Sequence, residues 1–167
     1  MTTSSSAADA VVAGREPGRG QDSEPSSPPV DHGAIRHRLI TMRRSIGQLR
    51  SLGPVDTVRW DLDPATGLVV ERILSLLLDQ AFMINRHVAE AVLGEAPRTA
   101  AGSFEAAQRA GLIDLSLVAA IVPPDGPHHV LMQLHLDSDP TQIAAIVAAA
   151  LHEYQEYVRQ ITRWTAV

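Results

Sequence analysis

Between Ile73 and Ile84 the chain is apolar on nearly every side of a helix, with Ile73, Leu74, Leu76, Leu77, Leu78, Ala81, Phe82, Met83 and Ile84 leaving few polar positions. A helix at the edge of a globule needs one apolar stripe. A segment like this must be central to a bundle, or lie partly in a core and partly against a second subunit. Its bounds are marked: Asp63-Pro64 pairs a capping residue with a proline at the first helical position, and Gly94 follows the end of the pattern at Leu93. No part of the chain alternates with the period of a strand, so the partners of this helix have to be other helices.

Those partners can be read from spacing and punctuation. From Asp31, the residues Ile35, Leu39, Met42, Ile46 and Leu49 recur at steps of three and four up to Gly53-Pro54. Asp139-Pro140 repeats the cap-plus-proline signal and opens a last helix whose buried face is expected at Ile143, Ile146, Val147, Ala150, Leu151, Tyr154, Val158 and Ile161. Ser103 is expected to cap a short helix that stops at Gly111, and Asp114 another that runs to Val122 before Pro123-Pro124. The pattern predicts an all-α, up-and-down bundle of four main helices plus short ones, a single domain over residues 31–167. Residues 1–30 are rich in Ser, Ala, Gly and Pro and lack apolar periodicity beyond Val11-Val12, which predicts a disordered tail.

Composition narrows the function. With no cysteine among 167 residues, disulfides and thiolate metal sites are excluded, and a reducing, cytoplasmic setting is expected. No apolar run reaches the roughly 18 residues of a membrane span, and no signal-peptide pattern opens the chain. The net charge of −5 argues against indiscriminate nucleic-acid binding by the whole surface. There is no lysine, so every basic side chain is an arginine. One stretch departs from the acidic balance. Between His32 and Val55 no acid occurs, while Arg36, Arg43 and Arg50 recur every seven residues with Arg44 beside them. That stripe reads either as a solvated face turned to acidic neighbours or as a surface for RNA phosphates or an acidic partner.

The densest chemistry lies from Gly126 to Pro140, Gly-Pro-His-His-Val-Leu-Met-Gln-Leu-His-Leu-Asp-Ser-Asp-Pro, with three of the seven histidines inside eight residues. In frame it resembles the active-site motif of the HepT-like proteins, the toxin half of a nucleotidyltransferase-linked toxin–antitoxin pair within the HEPN family of small helical ribonucleases. The resemblance spans about Ala34 to Ile161. It also rests on Asn85-Arg86-His87-Val88-Ala89-Glu90, on Ser103-Phe104-Glu105-Ala106 leading to Ala110-Gly111-Leu112-Ile113, and on the Asp-x-Asp-Pro that ends the stretch. The family's motif is Arg-Asn, three residues, His, one residue, Tyr, with a glycine just upstream. Laid on Gly126, it places His128 at the arginine, His129 at the asparagine, Gln133 at the histidine and His135 at the tyrosine. Val130, Leu131, Met132, Leu134 and Leu136 fit as apolar fillers.

Metal-independent RNA cleavage needs a base for the 2′-hydroxyl proton and a cation for the charge that builds on the phosphate. Gln133 accepts no proton, and a histidine is not the permanently charged, forked cation that arginine is. The resemblance therefore implies the scaffold of a HepT-like toxin whose ribonuclease residues are replaced. It also implies a homodimer, a nucleotidyltransferase antitoxin as partner, RNA as a further partner, and no cofactor. The alternative is a non-catalytic helical module that binds a nucleotidyltransferase. His128, His129 and His135 taking over as acid and base, or binding a metal with Asp137 or Asp139, are further readings of the same residues.

Overall fold

The computed structural model describes residues 29–53, 64–122 and 140–166, which form helices α1 (His32–Ser51), α2 (Pro64–Leu93), α3 (Ala100–Arg109), α4 (Leu115–Ile121) and α5 (Pro140–Trp164). None of the described residues is in a strand, and the chain forms the all-α bundle that its spacing predicts. The capping aspartates Asp63 and Asp139, the motif stretch 123–139 and residues 1–28 of the expected tail lie outside the described residues. No described helix is long and apolar enough to cross a membrane.

α1 forms as its sequence directs. The Asp31 carboxylate accepts from the Ala34 amide at 2.9 Å, and Ile35, Leu39, Met42, Ile46 and Leu49 are all buried on one face. Each such side chain, fully buried, is worth about 1.5–3 kcal/mol. α2 divides its apolar surplus. Ile73, Leu74, Leu77, Ala81 and Ile84 enter the core, Leu76, Leu78 and Phe82 are half-buried, and Met83 stays 41% exposed.

α3 corrects one expectation. Thr99, not Ser103, is the N-cap, accepting from Gly102 N at 3.1 Å, and Ser103 is buried inside the helix. The displaced serine instead ties two helices together. Its hydroxyl accepts from Asn85 of α2 and donates to its own helix at Ala100 O, 2.7 Å away. The end of α3 is as expected. Gly111 takes φ +72°, its amide donates to Gln108 O, and the Leu112 amide reaches back to Ala107 O at 2.9 Å. That pair of bonds, with Leu112 buried, is a Schellman ending that only a residue at ease with positive φ supports. Asp114 caps α4 through Leu117 N at 2.8 Å, as its position predicts.

Cross-links set the packing. α1 and α2 run antiparallel, tied by Asp31 N donating to His87 Nε2 at 2.8 Å near one end and by Arg38 Nη1 donating to Gln80 Oε1 further along. α5 lies antiparallel to α1, with the His32 ring stacked on Trp164 at 5.9 Å between centroids. Gln160 of α5 clamps Asp114, accepting from its amide at 2.8 Å and donating to its carboxylate at 2.7 Å.

Candidate functional site

Of the residues singled out in the sequence, His128, His129, Gln133 and His135 lie outside the described residues, as do Asp137 and Asp139. Arg36, Arg43, Arg44 and Arg50 are described, and all four are exposed on α1. Three of them stand on one flank because seven residues nearly complete two helical turns. That flank borders α5. Arg43 Nη2 donates to Thr162 Oγ1 at 2.7 Å, and Arg43 and Arg50 line an open groove of about 260 Å³ with Ile46, Gly47, Gln155 and Val158.

The electrostatics of this flank differ from those elsewhere in the bundle. The ion pairs among the described residues join Arg86 to Glu90, Arg109 to Glu95 and Arg159 to Glu156. Across the bundle, the groove between α1 and α2 also holds arginines, but Arg38 there is bonded to Gln80 and Arg86 to Glu90. Among the described residues none of the four α1 arginines named above pairs with a carboxylate. Their charge faces outward.

A second arrangement lies in the core, and the sequence reading missed it. The Tyr157 hydroxyl donates to Asn85 Oδ1 at 2.7 Å, and Asn85 Nδ2 donates to Ser103 Oγ at 3.3 Å. Three helices meet in this buried polar chain, and Phe104 packs edge-on against the Tyr157 ring at 5.9 Å. Burial pushes the Tyr157 phenol well above its ordinary range, and burial followed by the nearby Asp79 carboxylate does the same to Tyr154. Neither hydroxyl is accessible for transfer chemistry. The signal that pointed to Tyr157 is the lone Asn85 in an apolar run, since an amide buried there requires a polar partner.

The other described histidines are structural or solvated. His87 Nε2 is the acceptor for Asp31 N, which places its ring proton on Nδ1, and His152 is exposed.

No family model matches the sequence. The tRNA nuclease HepT of Aphanizomenon flos-aquae is 29% identical to the chain over 97 residues, which cover 58% of this chain and 66% of the relative. The chain is related to the HepT-like proteins. It thus matches just under two thirds of that HepT's length. The HepT-like stretches at Asn85–Glu90 and Ser103–Ala106 fall at the contact of α2 with α3, where Asn85 and Ser103 bond to each other.

Proposed function

We propose that this chain is the HepT-like component of a toxin–antitoxin module, a HEPN-type bundle that docks RNA but has exchanged its ribonuclease residues. What carries the reading is the relation to a tRNA nuclease over 97 residues, taken with the motif frame in which His128, His129, Gln133 and His135 replace Arg, Asn, His and Tyr. The unpaired arginines Arg36, Arg43, Arg44 and Arg50 supply the surface for RNA. Without a base at Gln133 the family's reaction does not run.

The proposed assembly is a cytoplasmic homodimer. Val69, Leu76 and Met83 repeat every seven residues on α2 and are left exposed or half-buried by the described fold, a stripe suited to a second copy. The proposed partner is a nucleotidyltransferase antitoxin. In the HepT-like frame that enzyme's AMP acceptor is a tyrosine, and here the position is His135. Tyr154 and Tyr157 are both fully buried, so the partner acts by binding and not by transfer to a phenol. The second reading, a non-catalytic module that binds the nucleotidyltransferase without any toxic role, is favoured by the same Gln133.

Expression of the chain alone and with its neighbouring gene, together with a tRNA cleavage assay, separates these readings. The natural protein should bind tRNA and leave it intact. The combined change His128→Arg, His129→Asn, Gln133→His and His135→Tyr should raise cleavage by at least about a hundredfold, the usual scale of one acid–base contribution. Cleavage by the natural chain that disappears in His128→Ala/His129→Ala would mean that the histidines have become the catalytic groups. Failure to bind tRNA, with stoichiometric binding to the nucleotidyltransferase, would leave the interaction module.

A further inference from the structure

The middle of α1 contains a residue that neither its helix nor its core explains. Gly47 is exposed, lies between Arg43 and Arg50 in the groove bordered by α5, and a Cβ built on it meets no atom within 4 Å. Glycine weakens a helix interior relative to alanine. It is kept where a positive φ or a close packing contact demands it, and neither applies here. What remains is close approach from outside the chain.

We propose that the Gly47 notch, flanked by Arg43 and Arg50, seats a backbone phosphate of an RNA strand that lies along the groove between α1 and α5. This rests on the RNA-docking reading above and gives that reading a defined contact point. Arg43 stands four residues before Gly47 and Arg50 three after it, so both reach over the same face. Thr162 holds one Arg43 nitrogen at 2.7 Å and so fixes the guanidinium at the groove's edge with its remaining donors free of any carboxylate. A guanidinium fork matches two oxygens of a phosphate.

The length of the surface favours a strand over a small anion. Seven residues of helix rise about 10.5 Å, so Arg36 to Arg50 spans about 21 Å of evenly spaced cations. Its chemistry favours RNA over protein. A protein interface is built around an apolar, often aromatic centre, whereas the apolar members of this groove, Ile46 and Val158, are themselves buried at 6% and 7% exposure. The exposed walls are glycine, glutamine and arginine. On a chain of net charge −5, an acid-free helix face is also where a polyanion meets least repulsion.

The test uses the full chain and bulk tRNA, with affinity followed by anisotropy across a salt series. Gly47→Gln fills the notch with a better helix former and leaves the charge unchanged. Its melting temperature should hold or rise while tRNA affinity falls by about tenfold, that is about 1.4 kcal/mol. Arg43→Gln/Arg50→Gln should weaken binding and make the log–log salt slope shallower by about 1.4, the amount for two single-strand phosphate contacts. Natural protein that binds tRNA, with both variants binding equally well, overturns the notch and spares the RNA reading. Natural protein that does not bind tRNA overturns both. Tighter binding of poly-L-glutamate, lost in the same variants, would assign the face to an acidic protein instead.

Discussion

Tyr154 and Tyr157 stand one turn apart on α5 and are equally buried, at 1% and 0% exposure, yet their hydroxyls have opposite surroundings. Tyr157 enters a polar chain with Asn85 and Ser103 and also lies 3.3 Å from Ala81 O. The Tyr154 hydroxyl is buried without a hydrogen-bond partner. A buried donor left unmade costs about 1–3 kcal/mol, whereas a made one returns about 1 kcal/mol. Tyr157 therefore fixes how α2, α3 and α5 meet, because the bond exists in one register of the three helices. Tyr154 fills volume, and its oxygen is a liability that the fold tolerates.

The contrast can be broken most forcefully at Tyr157 itself. Tyr157→Ala should destabilise by about 3–5 kcal/mol through the cavity left against Phe104, read as a lower midpoint in urea unfolding. Tyr157→Phe keeps the volume and strands the Asn85 carbonyl, so a loss of about 1–3 kcal/mol is expected. Combined with Asn85→Leu, it should cost clearly less than the two single losses added, because the second change removes the stranded group. An additive pair would mean that the polar chain does not act as a unit.

Tyr154→Phe is the smallest and most telling change. Removing an unpartnered hydroxyl should leave stability within about 0.5 kcal/mol of the natural chain or raise it. A loss of the size expected at Tyr157 would show that the two surroundings are alike. Alkaline pH sharpens the same point. The Tyr154 phenol is held above its ordinary value of 10.0 in the fold, so folded protein binds its proton more tightly than unfolded chain does. Its contribution is intact below pH 10 and drains away as pH rises from there towards the folded value. The Tyr154→Phe protein should accordingly resist alkaline unfolding better than the natural chain, as followed by circular dichroism.

Elements governed by local rules are legible in the sequence, and those governed by distant partners are not. The buried face of α1, the Asp31 and Asp114 caps and the glycine ending of α3 all match expectation, because each is decided within a few residues. Ser103 resembles a cap by type and place, but Asn85 of α2 draws it into the core and Thr99 takes the position. Tyr157 is absent from the buried face expected for α5, since its suitability for the core depends on an amide far away in sequence. The arginine stripe is visible as spacing. Its freedom from ion pairs and its groove with α5 require the packing of two helices that are distant in sequence. The histidines of the motif stretch lie outside the described residues, so their roles stand on the frame they share with HepT-like proteins.

The stack of His32 on Trp164 joins the start of α1 to the end of α5, the first and last of the described helices. A contact of that kind sets an order for biosynthesis. α1 and α2 can pair as soon as both have left the ribosome, but Ile46, which meets Val158 in the groove, has no cover until α5 follows. At about 5–20 residues per second, that side of α1 faces solvent for several seconds while the intervening chain is made. Nascent-chain arrest before Pro140 would hold the domain in this half-closed state, and proteolysis of such stalled chains would reveal how much of the bundle stands without its final helix.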